Sequence, residues 1–242
     1  MIPMSARDKN QPHVYDANLD PQSDLQNFFE GDNLVVATRF FRNAELFQQL
    51  EKLVIPSLLD KGLAKRGILR IWSAGCSDGR ETYSLAMAAR RILDQAGHPD
   101  LAVQVRGSDL SRPQIRIARE GTYRLSPADQ IILEPYRRHL ETVENNVCRI
   151  RDTIKALVEF VVEDIIKVQP NKPYDILICS LVLLYYHQDF QRTIVRQLVE
   201  SVQPEGYFHV APVGRRWLKS LGYEPASGSG PFFKKMVIAF EA

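Results

Sequence analysis

The sequence predicts an α/β fold of Rossmann-like type, a mostly parallel sheet flanked by helices with a ligand site at the carboxyl ends of its strands. Three observations carry that prediction. An apolar strand at residues 68–73 runs into a loop holding Gly75 and Gly79 and restarts as an apolar-faced helix over 81–95. A second strand, at 101–107, ends on Ser108-Asp109-Leu110, an acid at a strand end. Apolar runs at 158–162 and 174–184 then alternate with helical segments, as central parallel strands do.

The loop after the first strand sets the ligand chemistry. Glycine permits positive φ and close approach of a ligand to the backbone, and the helix behind it offers free N–H groups. A P-loop needs Lys-Ser/Thr directly after its last glycine, but Arg80-Glu81 stand there. A dinucleotide fold wants G-x-G-x-x-G, whereas these glycines are four apart and Glu81 follows at once. An acid at this turn repels a pyrophosphate and suits a ligand with a cationic or hydrogen-bond-donating group, such as S-adenosylmethionine (SAM). Asp109, at the end of the second strand, is the expected acceptor for ribose hydroxyls. The alternative is that Asp109 only caps a helix, but Ser111, with Pro113 behind it, is the better cap.

Composition narrows the class further. A chain of 242 residues suits one domain, or one domain with a small appendage. A hydrophobic content of 45% supports a real core, and a net charge of +2 is too near neutral to argue for nucleic acid. No apolar run approaches the roughly 20 residues needed to span a bilayer, so no membrane insertion is expected. The polar N-terminus is unlike a secretory signal. Three well-separated cysteines, an odd number, argue against a disulfide framework and for a reducing cytoplasm. The five histidines show no ligand spacing with them, and no metal is expected.

In chain order, residues 1–33 read as a flexible arm and 34–242 as the folded domain. Asn43 opens an amphipathic helix carrying Leu46, Phe47, Leu50, Leu53 and Val54, which Pro56 ends or kinks. Arg112, Arg116 and Arg119 share one face of a helix over 112–120, read as a solvated face or, more sharply, a patch for an acidic partner. Ser126-Pro127 open a further helix to about residue 138. Segments 139–143 and 147–150 flank Glu144-Asn145-Asn146 as a β-hairpin, within a small insertion at about 136–157. A helix at 190–202, a strand at 207–211 and a last strand at 232–240 complete the chain, with a Gly/Ser/Pro-rich mobile loop at 222–230.

Several segments resemble, in order, the chemotaxis-receptor (protein-glutamate) O-methyltransferases of CheR type. Trp72-Ser73-Ala74-Gly75-Cys76-Ser77-Asp78-Gly79-Arg80-Glu81-Thr82-Tyr83-Ser84 is similar to the family's W-S-A-G/A-C/A-S-T-G-E-E-P-Y-S. Thr38-Arg39-Phe40-Phe41-Arg42 resembles N-x-T-x-F-F-R, and Ser108-Asp109-Leu110 resembles the start of T-D-I-D. Ala118 to Tyr123 resembles A-x-x-G-x-Y, Phe160 to Ile165 resembles F-x-x-x-N-L, and Tyr174 to Tyr186 resembles F-D-L-I-F-C-R-N-V-L-I-Y-F. The resemblance covers roughly residues 34–212.

It implies a seven-stranded, mostly parallel SAM-dependent methyltransferase fold with a small inserted antiparallel β subdomain. The activity implied is methyl transfer to glutamate carboxylates of a receptor or other signalling protein, leaving S-adenosylhomocysteine (SAH). In the family that subdomain can dock a receptor tail peptide as an added strand. By the family's pattern Arg42 and Tyr185 flank the methyl group, and Thr38, Arg42 and Gly75 line the cofactor. Glu81 contacts its amino group, Asp109 its ribose, and Asp164 and Ile165 its adenine, while Ser180 and Leu181 occupy positions that reach its methionine end. A protein partner, no nucleic acid and a monomer are expected.

There are departures. Family members carry a helical domain ahead of T-x-F-F-R, yet 37 residues precede Thr38, so that domain is expected to be absent or vestigial. Arg80 replaces the first acid of E-E, Thr82 the proline, and Val36 the asparagine. Ser180-Leu181 replace Arg-Asn, and Ala211-Pro212-Val213-Gly214 replace G-H-S-E. Two alternatives therefore stay open: a catalytically weak SAM-binding or scaffolding module in a signalling complex, and a methyltransferase for another acceptor.

Overall fold

The structure, a computed structural model, describes residues 38–144, 146–167, 173–180 and 182–235, the side chain of Asp189 aside. The chain enters through α1 (Ala44–Gln49), a π-helical turn (Leu50–Val54), α2 (Ile55–Asp60) and a short α3 (Leu63–Arg66). Asn43 caps α1 by accepting from the Leu46 N–H, as its side chain suits it to do. Pro56 does not end the helix. It has no N–H for the regular ladder, and the wide turn just ahead of it absorbs the mismatch.

The central sheet begins with β1 (Ile68–Ala74), α4 (Arg80–Gln95), β2 (Ala102–Asp109) and α5 (Arg112–Glu120). A small excursion follows: β3 (Thr122–Arg124), α6 (Pro127–Leu133), a 3-10 turn (Glu134–His139), β4 (Leu140–Glu144), β5 (Val147–Ile150) and α7 (Asp152–Lys155). The sheet resumes with β6 (Val158–Val162), β7 (Tyr174–Cys179), α8 (Gln188–Glu200), β8 (Val202–Val210), α9 (Pro212–Leu218), β9 (Tyr223–Pro225) and β10 (Phe232–Lys235). Its order is β6-β2-β1-β7-β8-β10-β9, seven strands in all. β10 runs opposite to the other six strands.

Chain order runs outward from β1 to β2 and β6, then crosses back to β7 and β8 on its other side. The β1/β7 boundary is thus the topological switch point, where open α/β sheets bind their ligands. The period-two alternation of strands divides two cores. Leu69, Ile71, Ile176 and Ile178 face the α1, α2 and α4 side, whereas Trp72, Ala74, Leu177 and Cys179 face the α8 side. Among the described residues no helix is long and apolar enough to cross a membrane.

Three expectations need adjustment. The apolar run 174–184 is not one strand: β7 stops at Cys179, and Val182–Tyr185 form a 3-10 turn. The last ladder partner of β7 is Val210, and the β1 register ends at Ser73↔Ile178, so the chain has nothing left to pair with. The 222–230 segment is not all loop: β9 pairs with β10, and the Tyr223 hydroxyl donates to the Val199 carbonyl at 3.1 Å. The hairpin β4–β5 gains a third strand, β3, whose Tyr123 pairs with Cys148. Of the last predicted strand, 232–235 is observed and 236–240 lies outside the described residues.

Candidate cofactor site

The loop 75–79 is pinned at both ends. The N–H groups of Gly75 and Cys76 both donate to the Ser108 carbonyl, at 2.7 and 2.9 Å, tying the end of β1 to the end of β2. Gly79, at φ +86°, enters α4 in the left-handed region. A Cβ there would stand 2.7 Å from both Ala118 Cβ and Phe160 Cζ, so only glycine lets α4 approach α5 and β6 this closely. Gly75 also has positive φ, and the Val182 side chain lies directly over it.

Asp109, the predicted ribose acceptor, closes the loop. Its Oδ2 accepts from the Ser77 N–H at 2.8 Å and its Oδ1 from the Ser111 N–H at 2.9 Å. Ser111 itself caps α5, as its place before Pro113 suggests, while Asp109 holds the loop and the turn. The carboxylate still has lone-pair capacity for a further donor. Burial pushes the Asp109 carboxyl above the ordinary aspartate value, against backbone hydrogen bonds from Ser111, Ser77 and Leu110 that favour its ionised form.

At the switch point Glu81, in the first turn of α4, lies between two serines. Ser73, at the end of β1, donates to Oε1 at 3.2 Å, and Ser180, just past β7, donates to Oε2 at 2.6 Å. Ser73 was not singled out from sequence, although a hydroxyl closing an otherwise apolar strand is a signal. Cys76, buried beside Asp109 and Glu81, has its thiol pushed well up, first by desolvation and then by those carboxylates.

The segment ahead of α1 packs against the small subdomain and α4. Phe40 is fully buried and meets Tyr123 edge-on at 5.2 Å, while Phe41 stacks on Tyr136 at 4.3 Å. Phe41 takes φ +48° and donates its N–H to Ser84 Oγ at 3.0 Å. Two anchored aromatic rings thus fix the half-buried Arg42 that follows. Arg42 sits near the penultimate residue of β8, His209, whose imidazole is pushed down to about 4, mainly by burial and further by the Arg215 and Arg42 charges. Neutral His209 presents its Nδ1 to the Pro231 carbonyl at 2.8 Å. Thr38, half-buried, opens the same segment.

Past β6, the Glu163 N–H donates to the Asp109 carbonyl, bringing Asp164 to the β2 edge. Asp164 Oδ1 accepts from the Ile166 N–H at 3.0 Å, making a tight turn, and Ile165 is buried at 4% exposure in the α8-side core. Tyr185 is partly buried against the same core. Leu181 lies outside the described residues. The carboxyl ends of β1, β2, β6 and β7 therefore gather Gly75, Glu81, Asp109, Asp164 and Ser180 on one edge, and Arg42 lies within electrostatic reach of His209 on β8.

Arg80, where the resemblance has an acid, turns away from this edge. It pairs with Asp78 at 3.1 Å and lies over the Tyr123 ring at 5.1 Å, while the Tyr123 hydroxyl donates to the Asp78 carbonyl. These contacts fasten the small sheet to the loop. A separate open cavity of about 930 Å³ lies in the small subdomain, between α6 and β4–β5, lined by Leu125, Ile131, Leu133, Leu140 and Val147 among others.

Comparison with known proteins decides the family. The model of the CheR methyltransferase SAM-binding domain matches residues 36–212. This chain belongs to the CheR methyltransferase family. A chemotaxis protein methyltransferase of Listeria monocytogenes is 30% identical over 172 residues, covering 71% of this chain and 62% of that protein. One of Borreliella burgdorferi is 27% identical over 176 residues, covering 70% of this chain and 61% of its own length. The chain thus spans about three fifths of the curated relatives it matches. A magnesium protoporphyrin IX methyltransferase from Synechocystis, solved with SAM bound, covers 90% of this chain and 96% of its own at 17% identity and a TM-score of 0.44. The match falls on that family's SAM-binding domain, and it spans β1, β2, β6, β7 and β8 of the sheet.

Proposed function

We propose that this chain transfers a methyl group from SAM to glutamate carboxylates of a receptor-like signalling protein. The observation that carries the proposal is the CheR match over 36–212, together with the acceptor groups gathered at the β1/β7 switch point.

The residues present fit SAM on donor chemistry. Glu81, hydrogen-bonded by two serines and half-exposed, offers acceptor lone pairs to an ammonium group. Asp109 keeps lone pairs for ribose hydroxyls, and Asp164 supplies an acceptor for the exocyclic amine of adenine. Thr38, Ile165, Ser180 and Leu181 complete the assignment, and no metal is invoked. SAM held by these residues would supply an electrophilic methyl carbon on a sulfonium, to which a carboxylate oxygen would bond as the C–S bond breaks and its electron pair stays on sulfur.

A glutamate acceptor is already ionised near pH 7, so no general base is required. The protein's work is alignment and exclusion of water. Arg42 draws the incoming carboxylate by charge and paired hydrogen bonds, and its aromatic anchors hold it in place. Tyr185 orients the acceptor from the turn after β7. Neutral His209 beside Arg42 adds no competing positive charge.

The relatives' names, chemotaxis protein methyltransferases, support a receptor-like partner for this chain. The reading takes the chain to act as a monomer in the cytoplasm, and three free buried cysteines agree with a reducing compartment. The test is incubation of the protein with methyl-labelled SAM and cytoplasmic domains of chemoreceptors from the same genome. Base-labile methanol release from the receptor supports the proposal. Label that stays base-stable, or appears only on a non-receptor acceptor, contradicts it. SAM binding with no transfer to any protein would favour a scaffolding role.

A further inference from the structure

Glu81 is the acidic group at the switch point, and the two hydroxyls that hold it come from strands separated by about a hundred residues of chain. Ser73 is the penultimate residue of β1 and is fully buried; Ser180 follows β7 and is half-buried. Each donates its proton to a different oxygen of the same carboxylate, at 3.2 and 2.6 Å. A hydroxyl has one proton to give, so once both serines have donated, what remains at this corner is lone pairs: those of the two serine oxygens and the rest of Glu81. These three side chains therefore offer only acceptors to a ligand and complement a cationic donor.

We infer that Ser180 is a positioning residue acting through Glu81, which it locks, with Ser73, in the rotamer that receives the α-ammonium group of the cofactor. The inference rests on the SAM reading above and goes beyond it. It gives Ser180 an indirect role in place of the direct contact expected from the motif, and it makes the ammonium the group whose recognition depends on the serine pair. Without Ser180, Glu81 Oε2 loses its shorter hydrogen bond, and the side chain, rooted in the first turn of α4, regains rotamer freedom. That loss bears on the amino-acid end of the ligand and leaves the Asp109 and Asp164 end untouched.

The experiment compares two ligands that share adenosine. SAH carries the amino-acid tail; 5′-methylthioadenosine lacks it. Both are titrated calorimetrically into wild-type protein, Ser180→Ala, Ser180→Thr and Ser73→Ala, with the thermal midpoint recorded for each. Ser180→Ala should weaken SAH about tenfold, the scale of one hydrogen bond to a charged group, and change methylthioadenosine less than about twofold. Ser180→Thr, which keeps the hydroxyl, should restore SAH binding. Ser73→Ala, losing the longer bond, should show the same selectivity to a smaller extent. Equal weakening of both ligands, or no change in either, overturns the inference and leaves the SAM reading standing. Failure of wild-type protein to bind either ligand overturns both. A drop in thermal midpoint without selective loss of SAH assigns Ser180 to the scaffold and overturns the inference.

Discussion

Replacing Asp109 with asparagine tests the cofactor loop at its hinge. The carboxylate accepts two backbone N–H groups, Ser77 at 2.8 Å and Ser111 at 2.9 Å. Asparagine has one oxygen, so one of these donors must face an NH2 group instead. On the protein side that leaves one half-buried N–H short of a partner, costing about 1–2 kcal/mol. The thermal midpoint of a domain this size should then fall by a few degrees. On the ligand side a ribose hydroxyl exchanges a charged acceptor for a neutral one or none. Hydrogen bonds to charged groups are worth about 1.5–3 kcal/mol, so SAH affinity should drop about 10- to 150-fold. Asp109→Ala removes both acceptors and should lose at least as much. The assay is calorimetric titration with SAH, alongside a melting curve to confirm the fold. An SAH affinity within about threefold of wild type, in a variant that melts cooperatively, would refute the ribose assignment and leave Asp109 as a loop clasp alone.

Other expectations follow from the same contacts. Asp109 is shifted above the ordinary aspartate value, and ribose hydroxyls favour its ionised form. SAH affinity should therefore be full above that raised pKa and decline as pH falls through it, a slope that Asp109→Asn should flatten in titrations across the acidic range. Gly79→Ala places a Cβ 2.7 Å from Ala118 and Phe160 at φ +86° and should cost about 2–4 kcal/mol. A urea midpoint shift equivalent to under about 1 kcal/mol would contradict that close approach. Arg80→Ala strands the buried Asp78 and removes the ring contact with Tyr123. Because the arginine is only partly buried, a loss of about 1–3 kcal/mol is expected rather than the full cost of a buried pair, again read from the urea midpoint. Arg42→Ala should cut methyl transfer by about two orders of magnitude if it aligns the acceptor, while SAH binding changes far less; equal activity would remove its role.

Much of the fold was legible because the sheet is buried on both faces. Runs rich in apolar residues marked β1, β6 and β7, and the serine caps at Ser111 and Ser126 placed helix starts. What escaped was set by tertiary context. Hydrophobicity alone could not show that the run 174–184 turns at Cys179, because the turn is imposed where the neighbouring strands end. The short strands β3 and β9 had no periodicity to reveal them; β9 lies in a stretch whose glycines and serines read as loop. In the site, Glu81 and Asp109 stood out as acids at the ends of apolar elements. The partnership of Glu81 with Ser73 and Ser180 did not, since two hydroxyls so far apart in sequence meet only through the parallel pairing of β1 with β7. Arg80, a departure at the family's first acid, is explained only by Asp78 and Tyr123 on the far side of the loop.

Calorimetric titration of the wild-type protein with SAM and with SAH tests the central claim most directly. Saturable binding of both is expected in the micromolar range, one to one, with the product at least as tight as the cofactor. An absence of heat up to millimolar ligand, with the protein folded, would contradict it and show that the switch-point acceptors do not form a cofactor site.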